Sequence, residues 1–374
     1  MFKKINSING ISSDKPGNFS EVIRSRIAVA AAVAAVTAAC TTPGFGAIAN
    51  ISSITTQMTT GSPTMVPDLP GVGASYSMFQ SPNTYNVTYA GNDLKLTSVT
   101  AGGTTYTPTG MASAVVERGP DGTNTDNVWY AGSNSGSNIS LQGPKESSLV
   151  TAFGGNNLLV GADNLFSNTG NAVGDNTNID RLDMLFPSGF TASSTLAFAV
   201  FDRGPTDDHD AFKIAAITAL DSSGNPSNYG PLISLTDGSW GTTDLIPAEQ
   251  EIILRKNNAS PSNPFDPSDS TGQPIGGVLI PTGGTGALVP AGTKIYGYSL
   301  FSGVANGVGT QLVDFTDTTF FPDANSTSTQ GGLDPVGTSA VLFTTQVPEP
   351  TALTLAGVAA AGLLGRRSRK STNE

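Results

Sequence analysis

The chain has 374 residues, among them 44 Gly and 24 Pro, and only 13% are charged, a profile that argues against a mostly helical protein. One Cys and one His leave no disulfide framework, no Cys-based metal centre and no multi-His catalytic site. Charge divides by region: five Lys/Arg against two Asp/Glu up to Ala49, four against two from Val347, and nine basic against 25 acidic residues between them, a net charge of -16 that disfavours nucleic-acid binding.

In chain order, residues 1–49 read as an export signal with a signal helix. Lys3, Lys4, Arg24 and Arg26 form a basic leader before the apolar run Ile27 to Ala39, whose thirteen residues are short for a membrane span and suit a signal core. Ala47-Ile48-Ala49 offers small residues to signal peptidase, which places the cut before Asn50. A cut nearer Cys40 is the alternative, since Ala38-Ala39-Cys40 resembles part of a lipoprotein box, although Thr37 stands where such boxes usually have Leu.

Residues 50–346 lack a sustained helical repeat and show short β-branched and aromatic runs bounded by Gly, Pro, Asn, Asp or Ser. The expected fold is all-β, an antiparallel β-sandwich or jelly-roll-like body. Expected strands are Tyr85 to Tyr89, Leu94 to Thr100, Ala114 to Glu117, Asn127 to Tyr130, Thr195 to Asp202, Phe212 to Leu220, Glu251 to Leu254, Lys294 to Phe301 and Ala340 to Thr344. The near-continuous apolar run containing Phe198, Val200 and Phe201 suits a strand covered on both faces. One elaborated unit is the preferred reading; if there are two, the polar stretch 164–178 is the boundary. The proline-bearing loop Asn257 to Gly277 reads as a surface excursion.

An internal echo stands out. Val115-Val116-Glu117-Arg118-Gly119-Pro120 and Val200-Phe201-Asp202-Arg203-Gly204-Pro205 each lead into an acidic loop. Asp121, Asn124 and Asp126 in the first loop, with Asp207, Asp208 and Asp210 in the second, are candidate Ca²⁺ ligands, because a hard cation takes oxygen donors. The competing reading is a repeated structural turn in which Arg118 and Arg203 pair with nearby carboxylates. His209 lies in the second loop, but no Gly-x-Ser-x-Gly elbow accompanies it. Trp129, Tyr130 and Trp240 are candidate sugar-stacking platforms, and Tyr296 and Tyr298, two apart in a strand, are expected to share a face.

At the end, Val347-Pro348-Glu349-Pro350 precedes an uncharged stretch, Thr351 to Gly365, and then Arg366-Arg367-Ser368-Arg369-Lys370. As a helix this apolar stretch spans about 22 Å, short of the roughly 30 Å hydrocarbon core, so flanking residues must make up the difference. The basic cluster places the tail inside and the body outside. These residues closely resemble the PEP-CTERM sorting signal, with Pro348, Glu349 and Pro350 as its tripeptide and Arg366 and Arg367 opening its basic cluster. The resemblance implies recognition by an exosortase in the inner membrane, removal of the tail, and delivery to the cell surface or extracellular polymer matrix. The expected protein is therefore exported, transiently anchored in the inner membrane, and acts as a structural or glycan-binding adhesion module, with exopolysaccharide or a surface glycan as partner. The alternative is an extracellular polysaccharide hydrolase or lyase with an Asp-based site.

Overall fold

The computed structural model describes residues 47–60, 85–89, 92–119, 129–133, 139–142, 150, 153–158, 160–162, 164–168, 179–204, 209–241, 244–246, 250–254, 265–266 and 274–345. The expected signal helix and C-terminal apolar helix lie outside these residues, as do the sorting-signal positions. Among the described residues no helix is long and apolar enough to cross a membrane.

The strands are β1 (Ala49–Thr60), β2 (Tyr85–Tyr89), β3 (Asn92–Ala101), β4 (Thr104–Met111), β5 (Ser113–Arg118), β6 (Trp129–Ser133), β7 (Ile139–Gln142), β8 (Val160–Ala162) and β9 (Ile179–Thr191). They continue with β10 (Leu196–Arg203), β11 (Phe212–Leu220), β12 (Pro226–Tyr229), β13 (Ile233–Leu235), β14 (Gln250–Leu254), β15 (Phe265–Asp266), β16 (Ile275–Pro281), β17 (Lys294–Ser302) and β18 (Val341–Thr345). Six of them close into a barrel in the order β1-β16-β10-β18-β4-β3. A second sheet runs β12-β11-β17-β9-β5, with β13 also paired to β11. Smaller sheets join β15-β14-β6-β8 and β2-β7. The all-β antiparallel class expected from the sequence holds. The arrangement corrects the expected sandwich or jelly roll, because one layer closes on itself instead of facing its neighbour as an open sheet.

That difference has a cause in β10, β16 and β18. Ala197, Ala199 and Phe201 of β10 point into the barrel with Leu279, Val341 and Phe343, whereas Phe198 and Val200 point outward with Val278, Ile280 and Leu342. Each strand is buried on both faces, as the unbroken apolar run in β10 anticipated. A six-stranded barrel is narrow, and Phe201, Phe343 and Tyr106 with Ile51, Val99 and Leu279 fill its bore. On β16 a Cβ at Gly277 would lie 2.8 Å from the Phe201 ring and 2.9 Å from Ile51, so glycine admits these neighbours.

The outward face of β10, β16 and β18 packs on the second sheet through Leu182, Met184, Phe212, Ile214, Tyr298 and Leu300. Phe198 meets Tyr298 at a ring separation of 4.4 Å. The far face of the second sheet carries a third apolar cluster, Ala215, Ile217, Tyr229 and Phe301, covered by Ala305, Leu312 and Phe321 from the long connection between β17 and β18. Strand β5 pairs with β9, so ladder hydrogen bonds join the chain on either side of residues 164–178.

Candidate functional site

Two buried polar clusters and one barrel end organise the chemistry of the body. The first cluster sits on the far face of the second sheet. Alternation along β9 turns Leu182 and Met184 toward the barrel and Arg181 and Asp183 away from it, beneath the connection that covers that face. The Arg181 guanidinium donates from Nε to Asp183 Oδ1 at 2.8 Å and from Nη2 to Oδ2 at 3.0 Å, a bidentate pair. Its Nη1 donates to the carbonyls of Leu312 (3.0 Å) and Val313 (2.9 Å), and Nη2 reaches Glu117 at 3.5 Å. Phe315 lies under the guanidinium at 4.9 Å. Asp183 also accepts from the Ser299 hydroxyl at 2.5 Å and the Tyr229 hydroxyl at 3.5 Å. One arginine thus ties β5, β9 and the β17–β18 connection together.

Burial alone would lower the Arg181 pKa, but Asp183 beside it, with Tyr229 and Glu117, more than reverses this and raises it. Burial likewise lifts the Tyr229 hydroxyl well above the usual tyrosine range. At Glu117 burial raises the carboxyl pKa, partly opposed by Arg181 and reinforced by Asp183. The folded state therefore holds the Glu117 proton to higher pH than the unfolded chain, and its contribution to stability declines as pH rises from about 4.5 through the folded value. Glu117→Gln removes that slope. Denaturant titrations at pH 4 and pH 7 should show the variant gaining on the wild type as pH rises; a constant difference would contradict this.

The second cluster closes one end of the barrel. Asp202, near the end of β10, accepts from the backbone amides of Asp334 (2.7 Å) and Asp210 (2.8 Å), and its Oδ2 lies 3.3 Å from His209 Nδ1. Asp334 in turn accepts from the Arg203 guanidinium at 3.0 Å and the Asn164 amide at 2.5 Å. The Asp202-Arg203 pair thereby fastens the loop after β10 and the segment before β18 to one strand end. His209 is 1% exposed, its Nε2 has no hydrogen-bond partner among the described residues, and a Cβ on Gly276 would come within 2.4 Å of that atom.

Of the candidate Ca²⁺ ligands, Asp121, Asn124, Asp126, Asp207 and Asp208 lie outside the described residues. Asp210 is half-buried beside Asp202. Among the described residues no three or more His, Cys, Asp or Glu side chains gather in a way that could hold a metal. The structural-turn reading holds at Arg203, which pairs with Asp334. In the other copy of the echo Glu117 is bridged by Arg181 of β9.

The aromatic candidates separate. Trp240 is 1% exposed: its Nε1 donates to the Asp210 carbonyl at 2.9 Å, and its ring packs on His209 and Phe212, which leaves no face open to a sugar. Trp129 and Tyr130 occupy the start of β6, opposite Leu254 and Ile253 of β14. Tyr296 and Tyr298 do not share a face. Between Ile295 and Gly297 the pairing of β17 with β9 slips, and the irregularity reverses the alternation. Tyr298 is fully buried toward the barrel, while Tyr296 packs with the outer cluster under Lys294.

The other end of the barrel is where the chain enters and leaves. β1 starts at Ala49, paired to Leu279, and β18 finishes at Thr345, whose amide donates to the Thr195 carbonyl at 2.9 Å. The sequence that follows Thr345 immediately matches a known family model, the PEP-CTERM protein-sorting motif, over residues 346–370. No curated protein and no solved structure matches the chain. The motif marks the chain for export and exosortase-dependent sorting to the surface.

Proposed function

We propose that the protein is an exported surface or matrix component, held briefly in the inner membrane by its C-terminal segment, released by exosortase, and acting as a structural or glycan-binding adhesion module. The observation that carries the reading is the sorting motif at 346–370, which begins one residue after the last barrel strand. The body supports a scaffold role. Among its buried ionisable groups, Arg181, Asp183, Asp202 and Asp334 are engaged in fastening strands to connections. Its acidic charge suits a secreted domain that stays soluble among polymers.

The test is deletion of 347–374 followed by fractionation into inner membrane, cell surface and polymer matrix. The intact chain is expected on the surface or co-sedimenting with the extracellular polymer, the truncated chain in neither. Normal surface delivery without the tail would refute the sorting assignment. Delivery of the intact chain with no retention on either the cell surface or the polymer would leave sorting intact and remove the adhesion role.

A further inference from the structure

We infer that the end of the barrel where β1 begins and β18 ends is the face that the body turns toward an anionic lipid surface while its export segments are processed. The inference rests on the anchoring reading above. Strand register places both addresses at this end. Ala49 of β1 pairs with Leu279 and Ile51 with Ala101, so the start of β1 lies beside the ends of β16 and β3. Thr344 pairs with Leu196 and Thr107, and Thr345 with Tyr106, so the end of β18 lies beside the starts of β10 and β4. The first expected signal, ending at Ala49, and the sorting motif, starting at residue 346, therefore join the body at one end of one barrel.

Among the described residues this end carries no carboxylate. The segments that build it, 47–51, 98–107, 191–196, 279–293 and 341–345, contain no Asp, Glu, Lys, Arg or His. Hydroxyl groups take their place: Thr100 meets Thr105 at 3.1 Å, Ser193 meets Thr195 at 2.7 Å, and Thr282 donates to the Ser193 carbonyl at 3.0 Å. The nearest charged side chain in sequence is a cation, Lys294, exposed at the start of β17 and paired with Thr191. The opposite end, by contrast, gathers Asp202, Arg203, His209, Asp210 and Asp334.

This polarity matters because the body is strongly acidic and its leash is short. Five residues, or six Cα–Cα steps, separate Thr345 from Thr351, the first of the apolar segment, and fully extended they reach at most about 21 Å. An anionic surface repels carboxylates over roughly a Debye length of 8–10 Å. A leash of this length lets the body come within that range, and the hydroxyl-rich end is the described face that approaches without bringing the body's carboxylates to the surface.

The test uses the full chain in a Cys40→Ser background, so that each probe sits on the single thiol, reconstituted into vesicles of phosphatidylethanolamine and phosphatidylglycerol with spin-labelled headgroups. Thr195→Cys puts a fluorophore on the uncharged end, where Thr195 is exposed; Met111→Cys puts it at the other end of β4, where Met111 is 48% exposed. The seven steps of β4 separate its ends by about 23 Å, and quenching at position 195 is expected to exceed that at position 111 by at least about threefold. A chain that stays off the vesicles would refute the anchoring reading and this inference with it. A chain that associates yet is quenched equally at both positions, or more at 111, would refute the inference alone.

Discussion

Arg181→Ala is expected to lower the unfolding midpoint of the body by about 10 °C. The substitution leaves Asp183, which is 0% exposed, as a buried carboxylate with, among the described residues, only the Ser299 and Tyr229 hydroxyls donating to it, and strips the Leu312 and Val313 carbonyls of their donor. Breaking one side of a buried ion pair typically costs about 3–5 kcal/mol. In a body of this size each kcal/mol shifts the midpoint by about 2–4 °C. The partner experiment separates the pair's value from the penalty of orphaning it. Arg181→Met combined with Asp183→Leu removes both charges and fills the space, and is expected to recover most of the lost stability, since buried pairs are often matched by well-packed apolar residues. Thermal melts followed by far-ultraviolet circular dichroism read both. A loss below about 1 kcal/mol for Arg181→Ala would mean that water reaches Asp183.

Neither that arginine nor the acid it holds was legible as a pair in the sequence. Ile179-Asp180-Arg181-Leu182-Asp183 carries three charges in five residues and Pro187-Ser188-Gly189 follows within the same strand, so nothing in its local pattern reads as a central strand. It is one because the connection after β17 buries its outer face, a tertiary event with no local trace. β4 and β16 were hidden in the same way. β4 contains Pro108 and Gly110, and β16 opens on Ile275-Gly276-Gly277, yet both complete the barrel because closure supplies neighbours for the backbone, and Gly277 leaves room for Phe201 and Ile51. What was legible was whatever depended on local pattern. The apolar runs of β10, β11 and β17 are strands, and both faces of β10 are covered. The sorting motif was legible because a peptide address is read as sequence, whereas Trp240 looked like a surface aromatic only because sequence does not show what packs on it.

Gly297→Ala tests the element that most disturbs the regular pattern. Gly297 has φ +125°, a conformation L side chains rarely adopt, and an added Cβ would lie 1.8 Å from the Met184 carbonyl oxygen on the neighbouring strand. Strain of this kind costs about 1–3 kcal/mol by itself. The clash adds to it, because β17 can admit a methyl group only by parting from β9 at the core of the second sheet. Gly224→Ala is the control: φ is +89° there and nothing lies within 4 Å of the added Cβ. The control is expected to lose about 1–2 kcal/mol and Gly297→Ala more than about 4 kcal/mol, a size reserved for a broken core element. Equal losses at the two glycines would mean that the β17–β9 seam yields freely. If the seam resists, the damage reaches Arg181. Ser299 lies two residues beyond Gly297 and donates to Asp183, so a parted seam loosens the carboxylate that Arg181 binds. Gly297→Ala and Arg181→Ala should then cost less together than the sum of the two alone, with a coupling of about 0.5–3 kcal/mol in a double-mutant cycle.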